Sequence, residues 1–164
     1  MKRLAALVLA ALAGCGSAPP ADTDALKLPP YPRDADLVEF TPAAGSMRFF
    51  IDAPSLSVLE KDGAVRYTLV ARSPEGARNV SYESLSCATG QFRVHALGQA
   101  DGRWGGRESD WRSANDAWHR ALYREYFCPQ NEVIRNADDG LRALREGGHP
   151  FSRGFAAPGP INPR

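Results

Sequence analysis

The sequence has little of what most often carries chemistry. It has only three histidines, His95, His119 and His149, and no two stand at i, i+3 or i+4, so no zinc half-site is expected. No Gly-x-Ser-x-Gly elbow is present, and a thiol nucleophile is lost if Cys87 and Cys128 pair. Asp34-Ala35-Asp36 lacks the continuing Asp and Gly of a calcium loop. Gly102-Arg103-Trp104-Gly105-Gly106 lacks the strand-to-helix context of a phosphate cradle and reads as a hairpin turn. Neither metal nor cofactor is expected, catalytic residues stay unassigned, and the balance leans away from an enzyme.

Charge of one sign is also missing. Twenty basic face nineteen acidic side chains, interleaved along the chain, which argues against a nucleic-acid partner. Arginine far exceeds lysine. That suits bidentate anion recognition, although GC-rich codon usage explains it more simply. No long hydrophobic run exists. Leu4 to Leu12 is about half the roughly 20 residues that a membrane-spanning helix needs.

What is there begins with that short run. Lys2 and Arg3 precede it and Leu12-Ala13-Gly14-Cys15 ends it, so residues 1–14 read as a signal peptide. The ending resembles the bacterial lipoprotein box, in which the thiol of Cys15 takes a diacylglyceryl group. Two acyl chains suffice for stable attachment without a span. Gly16 rather than Asp after the cysteine resembles the pattern for outer-membrane delivery. The expected location is therefore the envelope, lipid-anchored and facing the periplasm, with the outer membrane favoured over the inner.

Residues 15–32 read as a lipidated N-terminus and flexible tether, 33–149 as a single domain, and 150–164 as an irregular tail. In an oxidising compartment the remaining even pair, Cys87 and Cys128, is expected to form a disulfide.

Within the domain the hydrophobic period is two from Met47 to Leu97, interrupted by turn residues at Asp52-Ala53-Pro54, Lys61-Asp62-Gly63, Ser73-Pro74-Glu75-Gly76 and Thr89-Gly90. A further short strand is expected near Trp104. After Asp110 the period becomes helical. Ser113 is the expected cap of a first helix carrying Ala114, Ala117, Trp118, Ala121 and Leu122 on one stripe. Asn131 is the expected cap of a second with Ile134, Ala137, Leu141 and Leu144, ended by Gly147-Gly148. The expected fold class is α+β: an antiparallel β-meander sheet of about five strands, two C-terminal helices packed on one face, and one disulfide clamping helix to sheet. His119 reads as the polar edge of its helix, and Asp138 with Asp139 as a solvated face. Trp104, Trp111 and Trp118 read as core rather than as a sugar-stacking platform.

The sharpest expectation concerns the hairpin around Ser73–Gly76. Placing Arg72 opposite Ala77 sets Tyr67 opposite Tyr82, Leu69 opposite Val80, Arg66 opposite Glu83, Thr68 opposite Ser81 and Val70 opposite Asn79. A one-residue slip would mix the two faces, and a two-residue slip would keep them. The helices should then cover the Tyr67 and Tyr82 face. Arg66, Arg72, Asn79 and Glu83 become the candidate interaction surface.

The stretches Pro29-Pro30-Tyr31-Pro32, Leu37-Val38-Glu39-Phe40, Phe49-Phe50-Ile51-Asp52, Ser55-Leu56-Ser57-Val58, Asp62 to Val70, Gly76 to Glu83 and Tyr126-Phe127-Cys128-Pro129 resemble the cryptic neisserial protein one-like family of uncharacterised proteobacterial lipoproteins. The resemblance implies a lipoprotein with two cysteines where Cys87 and Cys128 stand, and no activity. The expected function is a binding or structural accessory protein of the cell envelope, anchored to its membrane, with an envelope protein or glycan as partner. The alternative is a small periplasmic hydrolase with a site among Asp52, Arg78, Asn79 and Glu83, which requires those side chains to converge in one cleft.

Overall fold

The computed structural model describes residues 26–41 and 45–153. Cys15, the leader, the first part of the tether and the tail beyond residue 153 lie outside the described residues.

Eight antiparallel strands form one sheet. They are β1 (Leu37–Phe40), β2 (Arg48–Asp52), β3 (Ser57–Leu59), β4 (Ala64–Arg72), β5 (Arg78–Ser86), β6 (Gln91–Gly98), β7 (Trp104–Gly105) and β8 (Arg112–Ser113). The order is β1-β2-β4-β5-β6-β7; β3 pairs with β4 beside β2, and β8 pairs with β6 beside β7. Gly63 takes a left-handed φ of 56° to turn the chain into β4, where the Lys-Asp-Gly signal stands.

The expected α+β arrangement is present. Helix α1 (Ala117–Ala121) runs on into a wider π turn at Leu122–Phe127; α2 (Ala137–Arg145) and the single turn α3 (Pro150–Arg153) follow. Both expected caps are displaced. Ser113 is held in β8 opposite Gln91, so the helix begins three residues later, where Asp116 Oδ1 accepts the His119 N–H at 2.9 Å. Asn131 takes a left-handed φ of 66° in the turn after Pro129, and Asn136 caps α2 through the Asp139 N–H at 2.9 Å. Ile134 therefore precedes the helix but is still buried in the core. Gly147, with φ 72°, ends α2 as expected. No helix among the described residues is long and apolar enough to cross a membrane.

One sheet face is covered by α1, the π turn and α2. Ile51, Val65, Tyr67 and Leu85 meet Leu122, Phe127, Ile134 and Leu144 there. The Cys87–Cys128 disulfide, with Cα atoms 5.3 Å apart, joins the end of the β5 segment to the end of the π turn. The opposite face has a smaller apolar cluster of Phe50, Val70 and Val80, packed by Tyr31, Leu37 and Trp104. The segment before β1 crosses it: Trp104 Nε1 donates to the Pro29 carbonyl and Tyr31 Oη to the Gln99 carbonyl.

The hairpin register differs from the expectation by one residue. Arg72 faces Arg78, Val70 faces Val80, Thr68 faces Tyr82, Tyr67 faces Glu83 and Arg66 faces Ser84. The cause is local. Gly76 has φ 89°, its N–H donates to the Ser73 carbonyl, and the Ser73 N–H donates to the Ala77 carbonyl. Ser73 thus pairs with Ala77, leaving a three-residue loop built on a tight turn with a left-handed glycine bulge. Tyr67 and Tyr82 are both buried but on opposite faces, and only Tyr67 lies under the helices. Arg66 and Glu83 likewise lie on opposite faces.

Candidate functional site

The covered face is not covered to its end. Beyond the start of α1 the sheet leaves a groove of about 400 Å³. Its walls are mainly apolar, with Phe49, Leu69, Val94 and Leu97 from the strands and Trp118 from α1. The Trp118 ring stacks on Phe49, with centroids 5.0 Å apart, which fixes that wall. Leu97 is 47% exposed at the rim.

The floor is charged. Strand β5 brings Ser81 and Glu83 to this face because they alternate with Val80 and Tyr82. Ser81 Oγ donates to Glu83 Oε1 at 2.6 Å; His119 Nε2 stands 2.8 Å from Glu83 Oε2, and His119 Nδ1 2.7 Å from Asp116 Oδ2. Glu83 is 2% and His119 4% exposed. Burial opposes charge on the imidazole, but hydrogen bonds and attraction from the two carboxylates outweigh it and raise the His119 pKa above its ordinary value. Both ring nitrogens then donate. The imidazole also stacks on Phe92, with centroids 3.5 Å apart. Burial first, and the neighbouring Glu83 charge second, push the Tyr67 phenol well up. His119 is thus not the polar edge of a helix. It is the cationic centre of a buried chain, and its signal was the acidic Asp116 three residues before it.

Asp139 is a second correction. It is buried rather than solvated, and it binds Arg135 and Arg142 at 3.2 and 2.8 Å. Those bonds hold its carboxyl far below the usual range, Arg135 first. It ties the loop before α2 to the helix and to His149 at 3.4 Å, which is a structural role.

The sequence-derived site residues separate. Asn79 and Glu83 line the groove; Arg66 and Arg72 lie on the opposite face. For the hydrolytic set, Asp52 lines a hollow with Arg33 and Asp36, and Arg78 packs over Tyr31 on the open face, its guanidinium 5.6 Å from the ring. Asp52, Arg78, Asn79 and Glu83 do not converge in one cleft. Burial raises the Asp52 pKa, and the Ser55 hydroxyl beside it is committed to the backbone, donating to the Asp52 carbonyl and accepting the Thr68 N–H.

A different constellation went unread. On the open face Ser84 Oγ lies 2.7 Å from His95 Nε2, and His95 Nδ1 lies 2.6 Å from Glu108 Oε1. A carboxylate only accepts, so Nδ1 carries the proton and Ser84 donates to Nε2. His95 is the extra residue where the β5–β6 register shifts, which turns its ring toward Ser84. Burial is the largest influence on its pKa, and Arg66 and Arg93 add to it; together they lower the value despite Glu108. The connectivity is that of a nucleophile, base and acid. Yet Ser84 is only 3% exposed, which leaves no approach for an acyl carbon. No signal in the sequence links Ser84 to Glu108, because the bulge that joins them is not visible there.

Among the described residues no three His, Cys, Asp or Glu side chains are placed to hold a metal ion.

The CNP1-like family model matches residues 17–145. No curated protein and no solved structure matches the chain.

Proposed function

The chain belongs to the CNP1-like family, and on that premise we propose that it is a lipid-anchored, periplasm-facing accessory protein of the cell envelope. Its domain works as a binding module and takes an apolar side chain of a protein partner in the groove beside Trp118. The anchor reading rests on the Leu12-Ala13-Gly14-Cys15 box and the tether after it. The binding reading rests on one observation: a preformed, mainly apolar groove whose buried floor of Ser81, Glu83, Asp116 and His119 is closed on itself, with only Asn79 and Arg112 as further polar lining. Binding sites are concave and largely apolar, with a few converging polar groups. A glycan would need many hydrogen-bond partners, and beyond the internally bonded floor the groove offers only the Asn79 amide and the Arg112 guanidinium. The walls favour a protein side chain, and the membrane attachment favours a partner of the envelope.

Two measurements test this. Labelled palmitate should enter the full chain in cells and should be lost in Cys15→Ala; a wild-type chain that stays unlabelled and soluble overturns the anchor. A photo-reactive residue at Met47, on the groove wall, should crosslink to an envelope protein. Leu97→Asp, at an exposed rim position, should abolish that adduct while leaving the urea midpoint unchanged. An adduct that persists in Leu97→Asp, or only lipid or glycan adducts, overturns the groove.

The hydrolytic alternative finds no support in the placement of Asp52, Arg78, Asn79 and Glu83. Those residues occupy three separate parts of the fold, and Asp52 and Glu83 are buried.

A further inference from the structure

The open face carries one cross-strand row: Ser57 on β3, Arg66 on β4, Ser84 on β5 and Arg93 on β6, each directly opposite the next. Residues in such a row share a face. Arg66 and Arg93 flank one strand, so their Cα atoms are about 10 Å apart, twice the interstrand spacing. Two long guanidinium side chains close that span readily around a small anion.

The other arginines of this face are matched. Arg72 and Arg78 share Asp34, at 2.6 and 3.6 Å, and Arg93 bonds Glu108 at 3.1 Å. Among the described residues Arg66 is bonded by no carboxylate and its Nε has no hydrogen-bond partner, and the residue is half-buried. Its Nε is buried without an acceptor, as is that of Arg93. Both Nε groups are closed to solvent, so a ligand meets only the outer nitrogens of the two guanidinium forks. Among the described residues Glu108 is the one acid that bonds into this cluster, and it serves both Arg93 and His95. Two fixed cations therefore stand against one anion.

We propose that Arg66 and Arg93 form a binding site for a tetrahedral oxyanion, a phosphate or sulfate group, on the sheet face opposite the groove. Guanidinium forks match such oxygens in pairs. The anion rests on the outward nitrogens above Ser84 and leaves the hydroxyl bonded to His95.

This site is coupled to a proton. His95 is faced by Ser84 and Tyr82 on β5, Arg66 on β4, Arg93 on its own strand and Glu108 in the loop before β8. Part of what keeps its imidazole neutral is the two guanidinium charges. An anion that neutralises them makes protonation of His95 easier. By linkage, binding then takes up protons and strengthens as pH falls through the lowered His95 pKa.

Sulfate is the probe, since its charge is constant across this range. The His95 ring resonances of the full, disulfide-bonded chain are followed by NMR at pH 8 and pH 5.5. Saturable shifts are expected, with affinity several-fold higher at pH 5.5, below the tenfold that one full pKa unit of coupling gives. Arg66→Met should remove saturation at both pH values with an unchanged fold by amide spectra. His95→Gln, followed by backbone amides, should retain binding and lose its pH dependence. Glycerol phosphate competing better than sulfate assigns a phospholipid headgroup as source, and equal competition assigns a free inorganic anion. Non-saturating shifts in the wild type, or the same isotherm in Arg66→Met, overturn the site.

Discussion

The two faces of the sheet each bury a histidine, and they treat it in opposite ways. His119, on the covered face, lies between the carboxylates of Glu83 and Asp116, and its pKa is raised. His95, on the open face, lies between a serine hydroxyl and one carboxylate, with two guanidiniums nearby, and its pKa is lowered. Burial disfavours the charged imidazole in both places. The number and sign of the charged partners decides the outcome, and adjacent positions on β5 supply them: Glu83 points one way and Ser84 the other. The covered face therefore closes the Glu83, His119 and Asp116 charges on one another beneath a mainly apolar groove. The open face keeps an arginine in surplus.

The largest test of this contrast is Glu83→Ala. It removes one of two anions from a buried cation, and breaking such a pair costs about 3–5 kcal/mol. Urea unfolding at pH 6 should show that loss. Ser84→Ala on the same strand leaves His95 neutral and should lose far less. Equal losses at the two positions would mean that the histidines are not in different charge states.

The covalent frame comes next. The disulfide spans 41 residues of sequence and closes the covered face alone. Removing both thiols by Cys87→Ala with Cys128→Ala should lower stability by about 2–5 kcal/mol. The amides of α1 and the π turn should lose more hydrogen-exchange protection than those of β7. Protection lost evenly across the domain would remove the distinction between the faces.

A finer test uses pH. His119 has a folded pKa above the ordinary imidazole value near 6.5. Its contribution is fully present below that value and fades as pH rises through the folded pKa. His95 has a folded pKa below the ordinary value. Its contribution is present above about 6.5 and is lost as pH falls through the folded pKa. The wild type should show partial cancellation across pH 5–8. His95→Gln should leave stability that falls as pH rises, and His119→Gln stability that climbs with pH. Slopes of the same sign in the two variants would refute the assignment.

How far the sequence carries this picture depends on the range of the interaction. The strand sequence between Met47 and Leu97, the turn at Lys61-Asp62-Gly63, the stop at Gly147 and the pairing of Cys87 with Cys128 were legible, because each follows from local chemistry or from a simple count. The helix starts were missed, because Ser113 and Asn131 are good caps that tertiary pairing and a left-handed turn claimed first. Neither His95 nor His119 was legible as a buried group. His119 depends on Glu83, thirty-six residues away, and His95 on a bulge that no residue type announces. The candidate surface of Arg66, Arg72, Asn79 and Glu83 failed as a unit for one local reason, the conformation of Gly76.

That glycine gives the smallest test, and it reaches both faces. A polar/apolar pattern on β4 and β5 favours Tyr67 opposite Tyr82, yet the loop imposes Tyr67 opposite Glu83. The loop wins because Pro74 and Gly76 fit the tight turn, and because the register it sets gives Glu83 to His119 and Ser84 to His95. A Cβ on Gly76 would meet no atom within 4 Å, so substitution acts through the backbone alone. With φ at 89°, Gly76→Ala should lose about 1–2 kcal/mol, the usual penalty for an L-residue in left-handed conformation. Gly76→Asn should lose less, since Asn tolerates that region better. If the register is as robust as the buried charges imply, amide contacts between Val70 and Val80 persist in both variants. Contacts that move to Val70 and Asn79 in Gly76→Ala would show that the glycine alone, and not the histidine networks, holds the two faces apart.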